Sequence, residues 1–192
     1  MALAICVGFA GMLRLGEILR LEARDVCAEA SASRATLTLR DTKSTKRRGE
    51  VAETIVITDA VAVQMLAVLT AQRMPSHTLF GLTSAAFRKK WKEAVAFFQL
   101  QGWHLLPHSL RRGGATFDFS GHGLIDRTIV RGRWQSHRTA RLYIEEGLVH
   151  QGRLQLAVDQ RRDLFVFAQF FHRRWYRQAS LGCVERLRAI PH

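Results

Sequence analysis

The sequence is short of cysteine, of acidic residues and of long apolar runs, and each shortage narrows the class of protein it can be. Only Cys6, Cys27 and Cys183 occur in 192 residues, an odd and widely spaced set. With no CxxC pair and no Cys/His cluster, the pattern argues against a disulfide scaffold and a structural zinc site, and for a reduced, intracellular setting. The most apolar stretch, "MALAICVGFAGML", stops at Arg14. It is too short to span a bilayer and has no charged leader, so it reads as neither a membrane span nor a signal peptide. It reads instead as a core helix entered without a cap, as though the sequence starts inside a larger architecture. Acidic residues number 16 against 29 Lys plus Arg, which gives a net charge of +13. Such an excess repels itself and is best neutralised by a polyanion, so nucleic acid is the expected partner. No polybasic run flanks an apolar anchor, so a membrane surface is not expected as a partner.

What is present suits one folded domain. Hydrophobic residues make up 47% of the chain, enough for a sizeable core at this length. No internal repeat and no low-complexity linker interrupts it. Two helical pieces are expected over residues 2–9 and 13–21, separated near Gly8 and Gly11. In "RATLTLRD", Ala35, Leu37 and Leu39 alternate with Thr36, Thr38 and Arg40, a strand signature. Val51 to Ile57 is a second strand candidate, and "TKSTKRRGE" between the two reads as the cationic tip of a β-hairpin near 35–57. Val61, Met65, Leu66 and Leu69 share one face of a helix, and residues 85–100 form another. Pro75 falls in the loop between them, and Pro107 sits just before a helix start at "HSLRRGGATF". Gly121 and Gly123 mark the next junction. The fold class expected is α+β, mostly helical, with one small antiparallel sheet.

Four clusters could carry chemistry, and each alone has an ordinary structural explanation. Arg14 and Glu17 in "GMLRLGEILRL" are one helical turn apart, which alone reads as an exposed ion pair of little energetic consequence. Lys43, Lys46, Arg47 and Arg48 read as a solvated charged turn, though a hairpin tip is also well placed to reach a DNA groove or a phosphate. His108 and Arg111 in "HSLRRGG" lie three apart, hence on one helical face. Trp134 alone reads as core. Tyr143, one of only two tyrosines, follows it by nine positions in "RGRWQSHRTARLYIEEG". It is expected on a helix whose Ala140 and Ile144 face inward.

The order of these elements changes their weight. An arginine, a hairpin lysine, His-x-x-Arg, a Trp, and a Tyr nine residues later form a series that resembles the catalytic domain of tyrosine recombinases (phage integrases) across roughly residues 1–150. The resemblance implies that fold, and DNA cleavage and rejoining through a 3′-phosphotyrosyl intermediate in site-specific recombination or integration. By position, Tyr143 is then the nucleophile, Arg14 and Arg111 the phosphate clamp, His108 the acid/base histidine and Lys43 the general acid. Trp134 stands where the family carries His or Trp, and its indole N–H would donate to a phosphate oxygen. No cofactor and no metal is implied.

Three departures from the family pattern stand out. Gly16 takes the place of the usual Ser in Thr-Gly-Leu-Arg-x-Ser-Glu, "GRWQS" replaces the commoner Leu-Gly-His, and Lys46 competes with Lys43. The family's N-terminal core-binding domain is not recognised in this sequence. Double-stranded DNA is the implied partner, with a homo-oligomer on it. A type IB topoisomerase-like enzyme and a catalytically silent basic DNA-binding module from a mobile element are the alternatives. Residues 151–192 are expected to form a C-terminal helical extension. Its stripe of Leu164, Phe167, Ala168, Phe171 and Trp175 packs either on its own domain or on a neighbouring protomer.

Overall fold

The structure, a computed structural model, describes residues 1–28, 34–40, 49, 52–144 and 156–169. Helix α1 (Ala2–Ala10) is apolar on every side and buries Leu3, Ala4 and Val7, as expected of a core helix. It runs straight through Gly8 and ends at Gly11, the second of the two glycines expected at the break. The chain turns at Gly11 and Met12, and Met12 takes a left-handed φ of 48°. Helix α2 (Leu15–Arg20) then starts with Arg14 as its N-cap.

Three strands follow: β1 (Val26–Ala28), β2 (Ala35–Arg40) and β3 (Ala52–Ile57), antiparallel in the order β1-β2-β3. Ala35 pairs with Ile57, Leu37 with Ile55 and Leu39 with Glu53, so the alternating face buries Ala35, Leu37, Leu39, Ile55 and Ile57. The sequence did not announce β1, whose three residues are too few for a readable alternation. Lys43 and the basic segment around it lie outside the described residues, as does Val51.

Beyond the sheet, α3 (Ala60–Ala71) is capped by Asp59, whose Oδ1 accepts the Ala62 N–H at 2.8 Å. The Thr83 hydroxyl caps α4 (Ser84–Phe97) in the same way through Ala86. Helix α5 (Ser109–His122) closes on Gly123, a left-handed C-cap with φ 65°. Helices α6 (Ile125–Gly132) and α7 (His137–Arg141) complete the domain. The main core joins α1, α2, the sheet, α3 and Phe87 of α4. A second, small cluster of Met12, Ala115, Trp134 and Ala140, with Ile129 and Tyr143 against it, lies where α5, α6 and α7 meet the α1–α2 turn.

Helix α5 crosses α1 at Gly114, where an added Cβ would fall far inside van der Waals contact with the Phe9 carbonyl oxygen. An Ala in place of a helical Gly normally gains up to about 1 kcal/mol. Here the obstacle is backbone, which yields only if α1 moves off α5. Gly114→Ala is therefore expected to destabilise the fold by about 2 kcal/mol net, read as a lower urea midpoint. An unchanged or raised midpoint would show that the helices are not in such close approach.

Residues 158–169 are helical. They touch the domain through Phe167, edge-on to Phe98 at 5.2 Å between ring centroids, and through Gln160 Nε2, which donates to the Gln99 carbonyl at 2.9 Å. Leu164 is half-buried, whereas Phe165 and Val166 stay exposed. Phe171 and Trp175 of the expected stripe lie outside the described residues.

Candidate active site

The first piece of the site is the turn between α1 and α2. Glu17 reaches back to the start of its helix: its Oε2 accepts the Arg14 backbone N–H at 2.8 Å and its Oε1 accepts Arg14 Nη1 at 2.8 Å. The pair is not the exposed surface bridge that an i,i+3 spacing suggests. The Glu17 side chain is 3% exposed and that of Arg14 33%, so a buried carboxylate holds a guanidinium that is partly open to solvent. Burial pushes the Glu17 pKa up. The charge and hydrogen bond of Arg133, followed by the Arg14 backbone bond and charge, outweigh it and leave the carboxyl below its ordinary value.

Arg133 was not among the residues that the sequence singled out. It closes α6 in the left-handed conformation, φ 58°, which costs a residue with a Cβ about 1–2 kcal/mol. Its Nη2 donates to Glu17 Oε2 at 2.9 Å and its Nη1 to Glu53 Oε2 at 3.2 Å, and its side chain is 7% exposed. The only sequence signal was negative: an arginine in the slot where the family's Leu-Gly-His pattern has glycine.

Arg111 lies one layer deeper and is fully buried. Its Nη1 donates to the Met12 carbonyl and its Nη2 to the Gly132 carbonyl, the latter at 2.6 Å. The guanidinium thus ties the α1–α2 turn to the end of α6. Its Cζ lies 4.7 Å from the centroid of the Trp134 ring and 5.6 Å from that of Tyr143, in cation–π range. Burial first, then the neighbouring Arg133 and Arg14 charges, lower its pKa to about 10, which still leaves it charged at neutral pH. The sequence placed His108 and Arg111 on one helical face, yet His108 is exposed and Arg111 is sealed. The reason is that His108 is the N-cap of α5, before the first full turn.

Trp134 follows Arg133 directly and is buried, 8% exposed. Tyr143 stacks against it with 5.0 Å between centroids, and the His108 ring is 5.5 Å from the Tyr143 ring. Helix α7 ends at Arg141, so Tyr143 sits in the turn after it and not on the helix itself. Ala140 is buried as expected, and Ile144 is half-buried. The Thr116 hydroxyl of α5 holds this turn by donating to the Tyr143 carbonyl at 3.2 Å. Partial burial, then the Arg111, Arg112 and Arg14 charges, lower the His108 pKa from its usual value. Its surface is nevertheless largely open, so the charges are the better-founded cause.

The structure therefore brings together Arg14, His108, Arg111, Trp134 and Tyr143 from four separate parts of the chain, His108 and Arg111 sharing the start of α5. Two groups in this cluster, Arg111 Nε and Trp134 Nε1, are buried without a hydrogen-bond partner among the described residues, so each has donor capacity left. The arrangement covers Arg111 with the Tyr143 and Trp134 rings. In this arrangement the guanidinium is closed to solvent.

No family model matches the sequence, and no curated protein matches it in sequence. Among solved structures, the fold is similar to XerH site-specific recombinase bound to a palindromic difH substrate in a post-cleavage complex. That match has a TM-score of 0.56 and 20% identity over 73% of this chain and 40% of that one. The XerH pre-cleavage complex with difH matches at a TM-score of 0.55, with 20% identity over 73% and 41%. The chain spans about two-fifths of the length of those recombinases. Its mostly helical fold with a small antiparallel sheet is that of a tyrosine recombinase catalytic domain. No helix among the described residues is long and apolar enough to cross a membrane.

Proposed function

We propose that residues 1–150 form a tyrosine recombinase catalytic domain, followed by a helical extension over 151–192. It cleaves and rejoins double-stranded DNA as a homo-oligomer in site-specific recombination or integration. The observation that carries this reading is the Tyr143 ring, held 5.0 Å from Trp134, 5.5 Å from His108 and 5.6 Å from Arg111. The fold shared with DNA-bound recombinases supports it.

Free tyrosine has a pKa near ~10, so roughly one phenol in a thousand is ionised at pH 7. Neutral His108 is the group beside the ring that can take the phenolic proton as the Tyr143 oxygen attacks the scissile phosphorus. Charge gathers on the non-bridging oxygens, where planar guanidiniums from Arg14 and Arg111 and the Trp134 N–H suit the geometry. The bond to the 5′-oxygen breaks, and Lys43 supplies the proton that this leaving group needs. Attack of a free 5′-hydroxyl on the phosphotyrosine reverses each step and rejoins the strand.

The decisive test is a nicked suicide substrate incubated with the protein in EDTA. A covalent adduct is expected, because the guanidiniums and the lysine supply the positive charge. A strict Mg²⁺ requirement for adduct formation would refute the mechanism, and tight DNA binding without any adduct would identify a silent binding module. Relaxation of supercoils by isolated monomers would favour the topoisomerase alternative.

The pH dependence has a definite sign. A lowered His108 pKa keeps the imidazole neutral, and able to accept a proton, down through the ordinary histidine range near ~6.5. The acidic limb of the adduct-rate profile is therefore expected below that range, and to disappear in His108→Gln. A limb above it would mean that the charges around His108 do not act as described.

A further inference from the structure

The geometry points to Arg133 as a positioning residue: it shares Glu17 with Arg14 and so fixes the guanidinium of Arg14. The inference rests on the proposed cleavage reaction for its consequence, but not for its geometry.

Three observations converge on it. First, the two oxygens of the buried Glu17 carboxylate are divided. Oε1 takes Arg14 Nη1, while Oε2 takes both the Arg14 backbone N–H and Arg133 Nη2. Without Arg133, Oε2 keeps only the Arg14 backbone N–H, the carboxylate can rotate about that single bond, and the partly open guanidinium loses its single preferred orientation. Second, Arg133 is forked between elements, since its other nitrogen bonds Glu53 of β3. It thereby ties the α1–α2 turn to the strand that returns from the segment carrying Lys43. Third, its own backbone lies between two anchored neighbours. The Gly132 carbonyl accepts Arg111 Nη2 at 2.6 Å, and the Trp134 N–H donates to Ile129 at 3.1 Å.

The conformation supports a retained role. Arg133 occupies a left-handed position that glycine fills without strain. A side chain there has a compensating contact, and the two buried carboxylates are that contact. A flexible ammonium in its place could reach one carboxylate but not fork between both.

The experiment compares the full chain with Arg133→Met, Arg133→Lys and Arg133→Gly by two readouts. Side-chain ¹H–¹⁵N spectra report the Arg14 guanidinium without any need for activity, and suicide-substrate kinetics report cleavage. In the parent, the Arg14 guanidinium N–H groups should exchange slowly. In Arg133→Met and Arg133→Gly they should collapse to fast exchange, with adduct formation at least tenfold slower and DNA affinity within about twofold.

Combining Arg133→Met with Arg14→Ala should slow cleavage no further than Arg14→Ala alone. A residue that only supports the fold would give multiplying effects instead. Arg133→Gly also guards against misfolding, because it removes the backbone strain together with the fork. Arg14 signals unchanged in both variants, or multiplying rate effects, would overturn the inference. If the parent forms no adduct at all, the cleavage reading fails, and the Arg14 spectra still decide the positioning role.

Discussion

Tyr143→Phe is expected to abolish the covalent DNA adduct while changing DNA affinity by less than about twofold. The substitution removes one oxygen and keeps the ring. The ring is what the surroundings use: it stacks on Trp134 at 5.0 Å and covers Arg111 at 5.6 Å. The Thr116 contact is to the Tyr143 backbone carbonyl and survives the change. Stability should therefore stay close to that of the parent, and the loss of adduct cannot be assigned to unfolding.

The ring that lies against His108 is that of Tyr143, 5.5 Å between centroids, so its oxygen is the expected nucleophile. The other tyrosine in the chain, Tyr176, lies in the C-terminal segment. The check is a denaturing gel of protein with labelled suicide substrate, beside a binding titration. An adduct that persists in Tyr143→Phe and vanishes in Tyr176→Phe would move the nucleophile to the tail. Affinity lost in parallel with the adduct would make Tyr143 a binding residue.

The parts of this site that could be read from the sequence share one property: their signal is local or ordered along the chain. Ala35, Leu37 and Leu39 alternate and are buried as the alternation says. Arg14, His108, Arg111, Trp134 and Tyr143 were found by order and spacing, and their rings and guanidiniums do converge.

What escaped was set by contacts distant in sequence. Arg133 meets Glu17 across 116 positions and Glu53 across 80, and neither distance leaves a trace in local pattern. The Arg14–Glu17 spacing is that of an ordinary surface pair. Only the packing of α2 on the core makes the carboxylate buried. The end of α7 before Tyr143 was hidden because "TARLYIEEG" contains no Gly or Pro until Gly147. The depth of Arg111 was hidden by its type, since arginine is seldom fully buried.

That depth yields the second large expectation: Arg111→Ala should lose both stability and cleavage, whereas Arg14→Ala should lose mainly cleavage. Arg111 gives one nitrogen to the Met12 carbonyl and one to the Gly132 carbonyl from a fully buried site. Its removal leaves two buried acceptors unsatisfied, at about 1–3 kcal/mol each, and opens a cavity under Trp134 and Tyr143. Relief of the desolvation of a buried cation opposes this, so a net loss of about 3 kcal/mol is expected.

Arg111→Lys should recover little, because one ammonium on a flexible stem cannot bridge two carbonyls in the plane of a guanidinium. Cleavage per folded molecule should also fall by roughly 10²-fold or more, the usual effect of removing a preorganised oxyanion donor. Arg14 is one-third exposed and helps to neutralise a carboxylate that Arg133 also holds. Its loss leaves one oxygen of that carboxylate without its guanidinium, at about 1 kcal/mol, well below the cost of losing Arg111.

Urea denaturation of each variant, with adduct rates measured below the unfolding transition, separates the two effects. A destabilised Arg111→Ala that cleaves at the parent rate would make Arg111 a strut and nothing more. One that keeps parental stability would mean that the bonds to Met12 and Gly132 are not what joins the α1–α2 turn to α6. Loss of both in Arg111→Ala, with mainly cleavage lost in Arg14→Ala, is the expected result. In that case the tyrosine ring over Arg111 must lift before the guanidinium can meet a phosphate.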